Sequence, residues 1–183
     1  IPGCELISVE KMQSTQAMRA IAEHSDKTYT LLYTKHTALK IGMFALERMV
    51  QIMGMTQAGM VYADHYQQMD SVQKPAPVID YQFGSLRDDF NFGSVLLFNA
   101  NVFKEVIENT EEEYQYAGLY DLRLKISQKS KLVHINEYLY TEVESDKRES
   151  GEKQFDYVDP KNRQVQIEME QACTNHLKEI GGY

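Results

Sequence analysis

TYTLLYTKHTALKIGMFALERMV, residues 28–50, and AGMVYADHY, residues 58–66, form the stretch on which the fold turns. TYTLLY (28–33) is β-branched and aromatic, the composition of a buried strand. Thr37 can cap a helix, and from Leu39 the apolar positions fall at Met43, Leu46, Val50 and Met53. Those steps of about four and three residues are a helical period. Gly54 and Gly59 bracket its end, and MVYA (60–63) reads as a short strand ending at Asp64.

Upstream, CELISV (4–9) reads as a strand. Ser14 and Thr15 are N-cap candidates for a helix over 15–24 with Ala17, Ile21 and Ala22 inward. The order strand, helix, strand, helix, strand predicts parallel strands joined by crossover helices. Downstream come a loop with Pro75 and Pro77, a strand near 78–83 and an ordered loop over 84–93. An apolar run follows at 94–98, then a short helix over 101–108. A helix over 111–128 carries Tyr116, Leu119, Leu122 and Ile126, and 131–135 with 138–140 form a last strand pair. Residues 141–153 are almost all polar, the composition of a mobile loop. Asp159 before Pro160 is a helix start. Val165, Met169, Ala172, His176 and Ile180 then line one helix face that stops at Gly181-Gly182.

A chain of 183 residues with 43% hydrophobic and 25% charged residues suits one globular domain. No apolar run approaches the length of a membrane span. The net charge of −8 argues against a nucleic-acid partner, which needs clustered Lys and Arg. Ile1-Pro2-Gly3-Cys4 has neither an initiator Met nor a signal pattern, so the chain reads as a processed protein or a piece of a longer one. Cys4 and Cys173 fit no metal-ligand spacing and read as buried thiols in a reducing compartment, with a disulfide the minority reading. There is no N-x-[ST] sequon. The expected location is the cytoplasm.

The 28–66 stretch, with YDLRLK (120–125) and EYLY (137–140) after it in order, resembles the inverting family-two glycosyltransferases of the GT-A fold. LISVEKMQST (6–15) resembles that family's second strand. The resemblance spans roughly residues 5–145. It implies a three-layer α/β glycosyltransferase-like domain over 1–145 with a mostly parallel sheet. Residues 146–183 would add a polar loop and a C-terminal helix packed on it. It implies an enzyme of hexosyltransferase type, moving a sugar from a nucleotide-diphosphate donor to a hydroxyl of a glycan or lipid-linked acceptor, with peripheral membrane contact. The alternative is a non-catalytic domain of the same type that binds or regulates within a longer chain.

The family's metal-binding D-x-D falls on Thr34-Lys35-His36, its acidic pair after the second strand on Glu10-Lys11, and its general-base pair on Gly118-Leu119. On the donor side this leaves Glu10, Lys35, His36 and Asp64. A cation beside a helix N-terminus can neutralise a diphosphate without metal, and Mg²⁺ or Mn²⁺ enters only if Asp64 is a ligand. The plainer readings are a solvated loop for Lys35-His36 and a turn-forming Asp64. Asp88 and Asp89, in a loop bounded by Gly84 and Gly93, are the catalytic candidates, as a relocated base. Arg87, Phe90 and Asp121 are the acceptor-side candidates. The plainer readings there are an Arg–Asp pair with core aromatics, and Asp121 paired to Arg123 or Lys125. His134 reads as a half-buried strand histidine.

Overall fold

The computed structural model describes residues 7–144 and 160–182. Within them lie α1 (Thr15–His24), β1 (Tyr29–Tyr33), β2 (Ala38–Ile41), α2 (Ala45–Thr56), β3 (Met60–Met69) and β4 (Val72–Ala76). β5 (Val95–Asn99), α3 (Ala100–Glu108), α4 (Gly118–Lys129), β6 (Leu132–Glu144) and α5 (Pro160–Glu179) follow.

The strands form one sheet in the order β1-β5-β3-β6-β2, with β4 pairing β3 beside β5. The expected mostly parallel GT-A-like sheet is not what forms. β3 and β6 are parallel, but β1·β5, β5·β3, β3·β4 and β6·β2 are all antiparallel. Two local events defeat the alternation argument. Residues 38–41, read as the start of a helix, pair with Tyr140–Val143 as β2. And β3 does not stop at Asp64; it runs on to Met69 and turns into β4 through Asp70 at φ 54 and Ser71, a tight two-residue hairpin. Pro75 sits on β4, an edge strand, where a missing N–H is tolerated.

The predicted helical period holds at its C-terminal half only. Met43 and Leu46 are exposed, whereas Val50 packs partly buried on the core and Met53 is buried in line with Ala45 and Met49, four residues apart. Phe44 precedes the helix at φ 58. Gly42 makes the strand-to-helix switch possible. Its N–H donates to the Leu139 carbonyl at 2.9 Å, and a Cβ there would lie 2.7 Å from that oxygen.

Both faces of the sheet are covered. Met60 and Tyr62 of β3, with Leu96, Phe98 and Leu132, pack against α1, α3 and α4. Val61 and Ala63, with Val95, Leu97 and Ile135, pack against α2. The near-continuous apolar run of β3 therefore reports two-sided burial, not strand direction. At α1 the Ser14 hydroxyl accepts the Ala17 N–H at 3.0 Å, the cap expected from sequence. α5 packs on α4 through Ala172, with Met169 and Cys173 against Tyr120 and Leu124. Residues 7–9 carry no strand, and 78–83 are irregular. The two predicted strands at 131–140 are one strand, β6, which also takes in residues 141–144 of the expected loop. Cys4, the rest of that loop (145–153) and the Asp159 cap lie outside the described residues. Among those residues no helix is long and apolar enough to cross a membrane.

Gly118, where the resemblance places half of the general-base pair, opens α4 directly against α1. A Cβ there would run into the backbone of Thr15 and Ser14. Backbone cannot swing aside, so Gly118→Ala should cost roughly 1–3 kcal/mol or more by urea denaturation. Gly54, with nothing within 4 Å, is the control: Gly54→Ala should gain about 0.5–1 kcal/mol, since α2 keeps its backbone and sheds glycine's entropy cost.

Candidate functional site

The loop over 84–93 turns at two glycines of positive φ, Gly84 at 92° and Gly93 at 73°. Its far end is pinned: the Tyr140 hydroxyl accepts the Ser94 N–H at 2.9 Å, and the space at Gly93 is already filled by that hydroxyl. Between these points the loop lays down aromatic rings. Phe90 and Phe92 stand 4.4 Å apart, and Tyr62 meets the Phe92 ring edge-on at 4.8 Å.

α4 supplies the opposite wall. Tyr120 donates to the Leu86 carbonyl at 2.5 Å, and Arg123 Nη2 donates to the Arg87 carbonyl at 3.0 Å. The Arg123 guanidinium lies over the Phe92 ring at 4.9 Å and the Tyr120 ring at 4.7 Å. It is 5% exposed, and among the described residues no carboxylate is within ion-pair distance. Burial pushes its pKa down, while the neighbouring Tyr120, Tyr81 and Asp88 draw it back up. Loop and helix enclose a cavity of about 370 Å³, lined by Asp88, Asp89, Phe90, Phe92, Tyr116, Tyr120, Arg123 and also Thr34 and Met169.

The helix wall is held from behind by α5. Glu168 Oε2 accepts the Tyr116 N–H at 2.7 Å and the Ala117 N–H at 3.3 Å. Those amides lead into the N-terminus of α4, which has no cap of its own. Glu168 thus caps α4 from a different helix. His176 is buried one turn beyond Ala172, with Nδ1 2.9 Å from the Gln128 amide. Burial lowers its pKa; Glu179 draws it up and the Arg123 charge adds to the lowering.

The acidic loop residues divide the work. Arg87 grips Asp89 with two hydrogen bonds of 2.8 and 2.7 Å, which lowers the Asp89 pKa and raises that of Arg87. Asp88 has no ion pair among the described residues and only receives the Asp89 N–H at 3.0 Å.

The donor-side candidates do not converge on this pocket. Asp64 lies in mid-strand, 1% exposed, with Oδ1 accepting the Val78 N–H at 2.8 Å and standing 2.9 Å from His134 Nε2. The other ring nitrogen of His134 stands 2.7 Å from Asp80. Lys35 pairs at 2.5 Å with buried Glu142, which also faces His65 at 3.4 Å. Lys35 thus meets Glu142 of β6, whereas Asp64 meets His134 and the Val78 N–H. Glu10 and His36 are exposed. Nor does Asp64 suit a divalent metal: its carboxylate is buried on internal donors, and no group of three or more His, Cys, Asp or Glu side chains among the described residues is arranged to hold one. Asp121 pairs with Lys125 at 2.8 Å, the plainer of its two readings. Burial raises its pKa to about 6 against the pull of Lys125.

Arg123 is the residue that sequence reasoning passed over, except as a partner for Asp121. The signal was present. Leu122 and Leu124, on either side of it in sequence, are both fully buried, which points to burial of the arginine between them. No family model matches the chain, and no curated protein matches it.

Two outcomes test this geometry. Asp64→Ala strands the His134 nitrogen and the Val78 N–H in the interior and should cost about 2–4 kcal/mol in urea unfolding. Asp80→Asn, at the exposed end of the same chain of contacts, should stay within about 0.5 kcal/mol. The His176 imidazole is held neutral in the fold, so its contribution is complete above the unfolded value of 6.5 and is lost as pH falls below it. Urea midpoints from pH 7.5 to 5 should therefore decline more steeply for the natural chain than for His176→Gln.

Proposed function

We propose that the chain is a glycosyltransferase-like domain that holds a sugar between the 84–93 loop and α4. It moves a glycosyl group from a nucleotide-diphosphate donor to a hydroxyl of a glycan or lipid-linked acceptor, in the cytoplasm. The observation that carries this is the convergence of Asp88, Phe90, Phe92 and Tyr120 on one cavity of about 370 Å³. Sugar rings present apolar C–H faces that pack on aromatic rings, and hydroxyls that donate to carboxylates.

Asp88 is the base under this reading. It lines the cavity, is exposed and is bound to no cation among the described residues, whereas Asp89 is clamped by Arg87. Asp88 takes the acceptor's hydroxyl proton. The freed oxygen bonds to the anomeric carbon as that carbon's bond to the diphosphate breaks and the diphosphate leaves. The donor enters from the end of β1, where Thr34 lines the cavity.

A second reading is binding without transfer. Lys35 and Asp64 are already committed to internal partners, and Gly118 has no room for a side chain.

Calorimetry and product analysis with a panel of nucleotide sugars, with and without Mn²⁺, separate the two readings. For a transferase, Asp88→Asn should retain sugar binding and lose about 10²- to 10⁴-fold in turnover. Full turnover in that variant would remove Asp88 from the mechanism, and binding with no turnover in the natural chain would support the second reading.

A further inference from the structure

Arg123 is an unusual wall for a sugar site. Neutral sugars need acceptors, donors and ring faces, and none of these calls for a buried, uncompensated cation. An arginine almost never goes below a tenth exposure without a carboxylate. Here it does so at 5% exposure, in contact with two ring faces, the Tyr120 side chain as a hydrogen-bond partner and one carbonyl. Those partners leave its Nε with no hydrogen-bond acceptor. The nearby acidic side chains do not complete it. Asp89 is taken by Arg87, and Asp88 stands at the exposed rim without reaching ion-pair distance.

The cavity is therefore polarised by depth. A carboxylate at the rim is suited to a hydroxyl, and a guanidinium deeper in is suited to an oxyanion. The fork of N–H donors on arginine matches two oxygens of one carboxylate or phosphate. The aromatic rings between them fit the sugar ring that would join the two ends.

We infer that the sugar this cavity takes is acidic, its carboxylate or phosphate group received by Arg123 while a hydroxyl meets Asp88. The inference rests on the reading that the cavity binds a sugar. Phe92 and Tyr120 hold the guanidinium in place before the ligand arrives, so little ordering is needed on binding.

The test uses the 183-residue chain, with calorimetry against glucose and galactose, glucuronate and galacturonate, and glucose 1-phosphate and glucose 6-phosphate. Acetate and inorganic phosphate serve as bare anions. At least one acidic sugar should bind about ten- to a hundredfold more tightly than its neutral parent. The uronates and the phosphosugars say which oxyanion is meant. Arg123→Gln should abolish that preference, so that the acidic sugar binds no more tightly than its neutral parent measured on the same variant. Should that variant fail to fold, the Nε–H resonance of Arg123 in the natural chain decides, identified by its absence from Arg123→Lys. It should move on addition of the acidic sugar and stay still with the neutral one. Equal affinity for acidic and neutral sugars, or an unmoved resonance at saturation with the acidic sugar, overturns the inference and leaves the sugar site standing. A chain that binds none of the sugars overturns both.

Discussion

β3 and β6 run side by side in the same direction for ten paired positions, from Met60 beside Leu132 to Met69 beside Glu144. Every other strand attaches to this ladder directly or through one neighbour. β5 takes the first half of β3's free edge and β4 the second half, while β2 closes the far edge of β6. The ladder shifts register twice, on either side of Asp64. Between Ala63 and His65 the strand β6 takes five steps, Ile135 to Tyr140, where β3 takes two. A bulge of this kind bends the strand and re-aims the side chains around it. The extra residues lie on β6 opposite Asp64, a carboxylate that is costly to bury without partners. Asp64 answers the cost with two donors, the Val78 N–H and His134. In the same move it ties the 78–81 segment to the sheet, where Tyr62 also holds it through Ile79 and Tyr81. From there the chain passes into the 84–93 loop, so the site's aromatic wall hangs from this knot.

The opposite wall depends on α4, a helix with a poor start and a charged residue in its apolar middle. Both defects are repaired from outside the helix. The uncapped amides at its start are covered by Glu168 of α5, and the buried guanidinium of Arg123 is sandwiched by Phe92 of the loop and by Tyr120. Each repair is worth on the order of 1 kcal/mol, which is small beside the cost of burying an unpaired charge. The imbalance marks Arg123 as a group kept for something other than stability.

Much of the fold was legible where a local rule and the tertiary environment agreed. Ser14 caps α1, Ala17 and Ala22 face inward, and Ala172 and His176 face α4, because in each case a short-range preference and burial point the same way. Strand direction was not legible. An apolar run such as MVYA is the same in a parallel or a mixed sheet, and the residues that decided the topology were Gly42, which lets the chain cross close to Leu139, and Asp70, which turns β3 back on itself. Leu39 illustrates the failure. It satisfied a helical spacing with Met43 and Leu46, yet it pairs in a strand with Glu142, and those two spacing partners are solvent-exposed. At the site, the glycine-bounded aromatic loop was readable from composition. The burial of the arginine facing it could be suspected from its apolar neighbours, but its contacts with Phe92 and Arg87, more than thirty positions earlier, could not.

Under the proposed transferase reading, where a base could sit follows from packing as much as from sequence. At Gly118 the start of α4 lies against the start of α1: the Leu119 N–H donates to the Gln13 carbonyl at 3.2 Å, and Thr15 and Tyr114 exchange two hydrogen bonds, at 2.9 and 3.1 Å. This junction closes one side of the layer formed by α1, α3 and α4 and needs backbone against backbone, which only glycine permits. A carboxylate on Gly118 would force the two helices apart, and with them the Glu168 cap and the Tyr120 wall of the cavity. A chain built this way cannot keep a base at that place and this site together. If transfer occurs, the proton must go to a carboxylate on the other side of the cavity, and among the residues lining it only Asp88 and Asp89 carry one. Asp89 is held by Arg87, so steric exclusion at one wall and an ion pair at the other leave Asp88.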